Sequence, residues 1–218
     1  MSRCTPVTIP PAALAAQCRA LGCAVPETAL EPLRIYLELL TQWNTVMNLV
    51  GTRRWQDTLR ILVADSFYLA EFLDGLPLPD APCVWDPGAG AGLPGLPLRM
   101  VWQRGEYTLI EAREKRALFL STALARLRLP RTTVFQGRLE AFCARASRPV
   151  DVVVSRAFLP WPQVLALVEK SLAPDAHVVF LALEEPPASL PDAWQVAAAR
   201  RYAAGDDIRW FWALRHGA

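Results

Sequence analysis

The sequence predicts an α/β fold, in which a mostly parallel sheet carries helices on both faces and follows a helical cap. Apolar runs typical of strands alternate with helical segments from residue 83 onward. A glycine-rich stretch lies between the first such strand and the next helix. Residues 1–76 contain only helical spacing of apolar side chains. We therefore divide the chain into an N-terminal helical cap, 1–76, within the same compact unit as a sheet domain, 77–218.

The composition is that of a globular protein, because 53% of the 218 residues are hydrophobic and 20% are charged. No apolar run approaches the roughly 20 residues that span a bilayer. The N-terminus does not resemble a signal peptide, so we expect a cytoplasmic protein without membrane contact. Two histidines and scattered cysteines predict free thiols and no metal site. The cysteines are Cys4, Cys18, Cys23, Cys83 and Cys143.

Three helices are predicted in the cap. The first runs from Ala12 to Leu21 and ends at Gly22. Pro26 opens the second, whose apolar spacing continues to about residue 44. The third begins near residue 57 and presents a long apolar face. A proline-rich segment, 77–82, then forms a stiff connector to the first strand.

Seven strands and four helices are predicted in the sheet domain, and the first five strands alternate with the helices. The fourth and fifth strands are continuous apolar runs, which indicates burial on both faces. Two tryptophan-rich segments near the end of the chain predict a pair of strands at one edge of the sheet, after a loop at 184–193. The predicted strands are 83–86, 107–111, 133–136, 150–155, 177–183, 194–200 and 208–214, and the helices are 96–103, 113–128, 138–145 and 160–172.

The glycine-rich stretch predicts a ligand-binding turn between the first strand and its helix. Glycine lets the backbone turn sharply and approach a ligand closely, because no Cβ is present. The amides of this loop and the following helix N-terminus then form a cradle for an anionic group. Gly90, Gly92 and Gly95 also satisfy the spacing of the dinucleotide fingerprint. A structural turn without a ligand is the remaining alternative.

Asp86 distinguishes a dinucleotide from other ligands of this loop. It lies two residues before Gly88, the first glycine of the loop. A carboxylate at this position would repel the pyrophosphate of a dinucleotide. S-adenosylmethionine carries an ammonium and a sulfonium group and no phosphate. The acidic residue before the loop therefore favours this cofactor over a nicotinamide dinucleotide.

Polar residues also follow the other strands, whose carboxyl ends border the ligand crevice of an open parallel sheet. Glu111 lies 21 residues after Gly90 and can accept both ribose hydroxyls of a nucleoside. Its alternative role is to cap the following helix. In the segment 137–140, a backbone amide and a side-chain acceptor can bracket an adenine edge. Arg156 could hold a substrate base or phosphate, or it could pair with Asp86 or Glu111.

Clustered arginines permit a surface that faces nucleic acid. The formal net charge of +2 excludes a strong polycation. Arginine pairs bidentately with phosphate, but solvated helix faces with ion pairs would explain the clusters equally well. The clusters are Arg53/Arg54, Arg113/Lys115/Arg116, Arg126/Arg128/Arg131 and Arg200/Arg201.

Taken together, these motifs resemble the bacterial 16S ribosomal RNA guanine-N7 methyltransferase G family, also called the glucose-inhibited division protein B family. The resemblance covers the chain from about residue 33 to residue 183. Each segment alone is a weak signal, but their order and spacing are specific. The matching segments are 36–44 with 48–50, Asp65-Ser66, the loop 88–98, Lys115-Arg116 with Phe119-Leu120, and 155–157.

The resemblance implies a Rossmann-like methyltransferase that transfers a methyl group from S-adenosylmethionine to N7 of a guanine in 16S ribosomal RNA. The RNA could be free or in the small ribosomal subunit, and we expect the enzyme to act as a monomer. N7 has a free lone pair and no proton to lose, so positioning suffices and no catalytic residue is predicted. The cofactor contacts implied by the resemblance are Gly88, Leu93, Leu139, Glu140 and Arg156. The glycine-rich loop and the strand ends described above add Asp86, Gly90 and Glu111 to this set.

Two positions depart from the family pattern. Leu62 stands where the family usually has histidine, and Glu184 stands where it usually has lysine. An acid near the cleft mouth weakens attraction for an RNA backbone. Two alternatives therefore stay open, namely a methyltransferase of the same fold with another substrate, and a non-catalytic RNA-binding module.

Overall fold

Seven strands form one sheet in the order β3-β2-β1-β4-β5-β7-β6. The computed structural model describes residues 7–204 and 207–217, so the start of the predicted cap and Cys4 lie outside the described residues. The first five strands are parallel, and β7 runs antiparallel to both β5 and β6. The strands are β1 Cys83–Pro87, β2 Glu106–Glu111, β3 Thr132–Gln136, β4 Val150–Arg156, β5 Leu172–Ala182, β6 Trp194–Ala204 and β7 Asp207–His216.

The predicted succession of strands along the chain is confirmed, and the predicted pair at one edge of the sheet is antiparallel. The chain leaves β1 toward β2 and β3 on one side, and β4 lies on its other side. This reversal creates a topological switch point at the carboxyl ends of β1 and β4. The glycine-rich loop follows β1 directly and therefore lies at this point.

The boundary between the last helix and β5 differs from the prediction. The helix predicted over 160–172 ends as a 3₁₀ turn at Glu169–Ser171, and β5 begins at Leu172 instead of residue 177. Leu172 pairs with Val150, and the β4–β5 register shifts just after this pair. Pro174 is tolerated near this irregularity because a bulge spares the missing amide donor. Apolar spacing alone does not separate this strand start from a helix end.

Eight α-helices surround the sheet within the described residues. The predicted helices are all present, with ends that move by a few residues. A π-turn at Leu59–Val63 joins α3 to α4. The spacing of apolar residues did not predict this turn. The helices are α1 Pro11–Arg19, α2 Glu27–Met47, α3 Trp55–Thr58, α4 Ala64–Asp74, α5 Gly95–Val101, α6 Glu114–Leu127, α7 Leu139–Cys143 and α8 Trp161–Val168. None of these helices has the length and apolar character needed to cross a membrane.

The N-terminal helices share a hydrophobic core with one face of the sheet. Buried leucines of α2 and α4 belong to the same cluster as Leu96 of α5 and Phe119 of α6. Trp43 packs edge-on against Phe119, with ring centroids 5.6 Å apart. The hydroxyl of Tyr36, on α2, donates a 2.9 Å hydrogen bond to the carbonyl of Ala91 in the glycine-rich loop. The cap therefore supports the loop directly, while the division at residue 76 stays a prediction.

Candidate functional site

The glycine-rich loop is held to β2 by backbone hydrogen bonds and lies against an aromatic ring that follows β4. The amides of Gly88 and Ala89 donate to the carbonyl of Ile110 on β2, at 2.8 and 3.2 Å. Gly88 adopts φ +70°, and a Cβ at this position would overlap the ring of Phe158, which follows β4. Glycine is therefore required at residue 88 both for the backbone conformation and for the approach of the aromatic ring.

Asp86 lies beneath this loop instead of on an open cavity wall. Its side chain is buried and accepts a 3.0 Å hydrogen bond from the hydroxyl of Tyr107. The backbone amide of Gly95, the first residue of α5, also bonds to this carboxyl group. Burial raises the pKa of Asp86 from 3.8 to about 8, against the opposing effect of both hydrogen bonds. The residue therefore ties β1 to β2 and α5, and holds the loop from behind.

Glu111 connects the loop to the end of β2. The amide of Gly90 donates to its Oε2 at 2.9 Å, and the amide of Arg113 donates to its Oε1 at 2.8 Å. Arg113 is itself the N-cap residue of α6, so the alternative in which Glu111 caps this helix is wrong, although its carboxylate binds the backbone immediately before the helix. A carboxylate oxygen can accept more than one hydrogen bond, so the predicted ribose contact is compatible with both bonds.

A cavity of about 700 Å³ opens at the carboxyl ends of β1, β2, β3 and β4, and we call it the main cavity. Its size is within the range of small-molecule sites in proteins. Four predicted cofactor residues line it, namely Gly88, Glu111, Leu139 and Glu140. The other lining residues are Ile110, Ala112, Arg113, Arg116, Gly137, Arg138, Ala157, Phe158 and Leu159.

The remaining predicted residues do not line the main cavity. Asp86 is buried beneath the loop, and Gly90, within the loop, donates its amide to Glu111. Leu93 is half-buried and packs against the core shared with the cap. Arg156 faces a second cavity of about 220 Å³, which shares Ala157 with the main cavity.

Arg156 pairs with Asp65 of the cap, so the predicted pairing with Asp86 or Glu111 is wrong. Its Nη2 lies 3.2 Å from Oδ2 of Asp65, and its Nη1 donates to the carbonyl of Leu62 at 3.0 Å. Leu62 belongs to the π-turn, a type of irregularity found frequently at functional sites. The last residue of β4 therefore pairs with β5 through its backbone and is bound to the cap through its side chain.

Asp65 is the centre of this buried cluster, which we define as Asp65, Arg156, Tyr202 and Arg209. Arg209 donates to Asp65 at 2.7 Å and to the carbonyl of Ile61 at the same distance. The hydroxyl of Tyr202 donates to the other oxygen of Asp65 at 3.0 Å. Burial raises the pKa of Asp65, although both arginines oppose this effect. The cluster joins the cap, β4 and the terminal strand pair.

The sequence contained one signal for this cluster. Asp65 is an acid within the apolar face of its helix, where a buried carboxylate requires a partner. Tyr202 and Arg209 lie on the last two strands, more than 130 residues away, and no local pattern connects them to Asp65. No group of three metal-ligating side chains occurs in the parts of the chain that the structure describes.

The sheet order, the glycine-rich loop after β1, the acid at the end of β2 and the cavity at the switch point define a Rossmann-like methyltransferase. Solved structures support this fold. An rRNA methylase from Streptococcus thermophilus matches 70% of this chain and 96% of its own, with a TM-score of 0.53 and 12% identity. A SAM-dependent methyltransferase from Aquifex aeolicus matches 73% and 93%, with a TM-score of 0.51 and 18% identity.

The chain belongs to the rRNA small subunit methyltransferase G family, or GidB, whose model matches residues 29–195. The ribosomal RNA small subunit methyltransferase G of Nitratidesulfovibrio vulgaris strain DP4 is 58% identical over 91% of this chain and 90% of its own length. The protein of the same name from Oleidesulfovibrio alaskensis is 44% identical over 91% of each chain. The resemblance drawn from the motifs is confirmed, and membership implies the use of S-adenosylmethionine.

Proposed function

We propose that this enzyme transfers a methyl group from S-adenosylmethionine to N7 of a guanine in 16S ribosomal RNA. The observation that carries the proposal is the main cavity at the switch point, in a chain whose relatives are named for the small-subunit RNA. We expect the enzyme to act as a monomer in the cytoplasm, on free RNA or on the small ribosomal subunit.

The residues of the main cavity fit this cofactor. Glu111 offers a carboxylate to the ribose hydroxyls, and Gly88 removes the side chain that would block close approach to the loop. Leu139 supplies an apolar surface and Glu140 a polar acceptor for the adenine. Asp86 and Gly90 contribute by fixing the loop, and Leu93 by packing it against the cap.

The reaction that we propose needs positioning more than acid–base catalysis. The cofactor, when bound, supplies an electrophilic methyl group. Because guanine N7 offers a lone pair and has no proton to lose, and because S-adenosylhomocysteine would leave as the carbon–sulfur bond breaks, this chain would have to align the two groups and exclude water. Neither histidine lines the main cavity. Phe158 and Leu159 form an apolar wall of the cavity on the β4 side.

The two departures from the family pattern leave the described contacts intact. Leu62 contributes its backbone carbonyl to Arg156, and this contact does not depend on the side chain. Glu184 likewise accepts a hydrogen bond from the indole of Trp212 through its carbonyl, at 3.3 Å. Both substitutions are therefore compatible with the proposed reaction.

A methyl-transfer assay tests the proposal. We expect the purified enzyme to transfer labelled methyl to small-subunit RNA from a methylation-deficient strain, and the label to map to N7 of a guanine. Absence of transfer to this RNA would refute it. Transfer to another substrate instead would favour the same fold with a different specificity. RNA binding without calorimetric binding of S-adenosylhomocysteine would identify a non-catalytic RNA-binding module.

A further inference from the structure

Four cationic side chains surround the mouth of the main cavity, and we call them the cationic rim. They are Arg113, Lys115, Arg116 and Arg138. Three of them line the main cavity. Lys115 lines an adjoining surface cavity of about 360 Å³, which also contains Arg113 and Arg116. The rim therefore forms one continuous surface beside the proposed reaction site.

No ion pair or side-chain hydrogen bond in the described part of the chain includes a rim side chain. Three carboxylates lie nearby, those of Glu111, Glu114 and Glu140, and Glu111 is already bonded to backbone amides. In this described region, the four cationic side chains therefore lie near three carboxylates without forming an ion pair with any of them. Arginines elsewhere do form ion pairs, namely Arg34, Arg104, Arg148, Arg156, Arg200, Arg209 and Arg215.

The stability of α6 does not explain this arrangement. Arg113 is the N-cap residue of the 14-residue helix, and Lys115 and Arg116 lie in its first turn. Cations are unfavourable at a helix N-terminus, where the helix dipole is already positive. Arg138 adds a further charge from a separate element, at the start of α7. The combined effect is a positive potential that favours a polyanion.

We propose that the cationic rim docks the phosphate backbone of the RNA substrate beside the main cavity. This inference rests on the proposed function. Guanidinium groups match phosphate oxygens bidentately, and S-adenosylmethionine contains no phosphate to occupy them. Val46 and Met47 border the same surface, and Val46 is 79% exposed, which provides an apolar contact for sugars or bases. The rim thereby positions RNA so that one guanine reaches the cofactor.

The test compares two double variants of α6. The rim variant is Arg113→Gln with Lys115→Gln, and the matched control is Arg126→Gln with Arg128→Gln. All four side chains are exposed, and the two pairs lie about 20 Å apart along the helix. Binding of protein-free small-subunit RNA is measured at several salt concentrations without cofactor. Methyl transfer and the calorimetric affinity for S-adenosylhomocysteine are measured in parallel.

We expect the rim variant to bind RNA about 10-fold more weakly at about 0.15 M salt, with the slope of log affinity against log salt reduced by about 1.5. KM for RNA should rise similarly, while the affinity for S-adenosylhomocysteine and kcat at saturating RNA change less than about twofold. The control variant should keep the RNA affinity and salt slope of the unmodified enzyme.

Three results would overturn the proposal. The first is a rim variant whose RNA affinity and salt slope match those of the control. The second is weaker binding of S-adenosylhomocysteine with unchanged RNA binding, because the rim would then serve the cofactor. The third is a defect on assembled subunits alone, which would indicate a protein partner. Failure of the proposed function is distinguishable, since the unmodified enzyme would then transfer no methyl to RNA.

Discussion

Asp86 predicts a specific dependence of stability on pH. Burial raises the pKa of its carboxyl group from 3.8 to about 8, so the folded protein binds this proton more tightly than the unfolded chain. The stabilisation is fully present below about pH 4 and is lost as the pH rises to about 8. Each unit of pKa shift corresponds to about 1.4 kcal/mol, so the loss between pH 4 and pH 7 is about 4 kcal/mol.

The substitution Asp86→Asn removes this proton equilibrium and keeps the shape of the side chain. The amide oxygen can still accept a hydrogen bond from Tyr107. The difference in unfolding free energy, variant minus unmodified protein, should therefore increase by about 4 kcal/mol between pH 4 and pH 7. Other titrating groups, such as Asp65 and His177, are present in both proteins and cancel in this difference.

Urea unfolding measured at pH 4, 5.5 and 7 tests this prediction, with Asp80→Asn as the control for removal of an exposed carboxyl group. Parallel stability curves for Asp86→Asn and the unmodified protein would mean that Asp86 is ionised in the folded state, and would refute the reasoning. Calorimetry adds a functional reading at pH 7. Because Asp86 is buried beneath the loop and does not line the cavity, the affinity of Asp86→Asn for S-adenosylhomocysteine should stay within about threefold of that of the unmodified protein. Loss of a charged contact to the ligand would instead lower this affinity about tenfold or more.

Three further substitutions test the contacts around the cavity. Asp65→Asn leaves Arg156 and Arg209 without their buried carboxylate and should lower the free energy of unfolding, measured by urea titration, by about 3–5 kcal/mol. The control is Glu71→Gln, which removes an exposed ion pair with Arg200 and should lower the same free energy by less than about 1 kcal/mol. Tyr36→Phe leaves the buried carbonyl of Ala91 without its donor and should cost about 1–3 kcal/mol, measured by urea unfolding; an unchanged midpoint would contradict a role for the cap in holding the loop. Gly88→Ala places a Cβ against Phe158 at a positive φ and should weaken calorimetric binding of S-adenosylhomocysteine at least about tenfold, with unaltered binding as the contrary result.

Local signals predicted the fold and part of the site. Glu111 was found because its distance from Gly90 and its place at a strand end are both visible along the chain, and the structure joins the two residues by a hydrogen bond. Gly88, Leu139 and Glu140 were implied by the family resemblance, and they line one cavity because parallel strands bring their carboxyl ends to one edge. The start of β5 was misplaced, because it depends on the pairing of Leu172 with Val150 and not on its own spacing.

Burial and long-range pairing decided what the sequence did not reveal. A carboxylate before a glycine loop can face a ligand or lie beneath the loop, and Asp86 takes the second position because Tyr107 and Gly95 supply its donors there. Arg156 emerges at the predicted strand end, but Asp65 and the π-turn carbonyl of Leu62, both more than 90 residues earlier, determine its direction. The positions of strand ends thus follow from local patterns, while the orientation of a charged side chain at such an end depends on which opposite charge the tertiary fold brings to it.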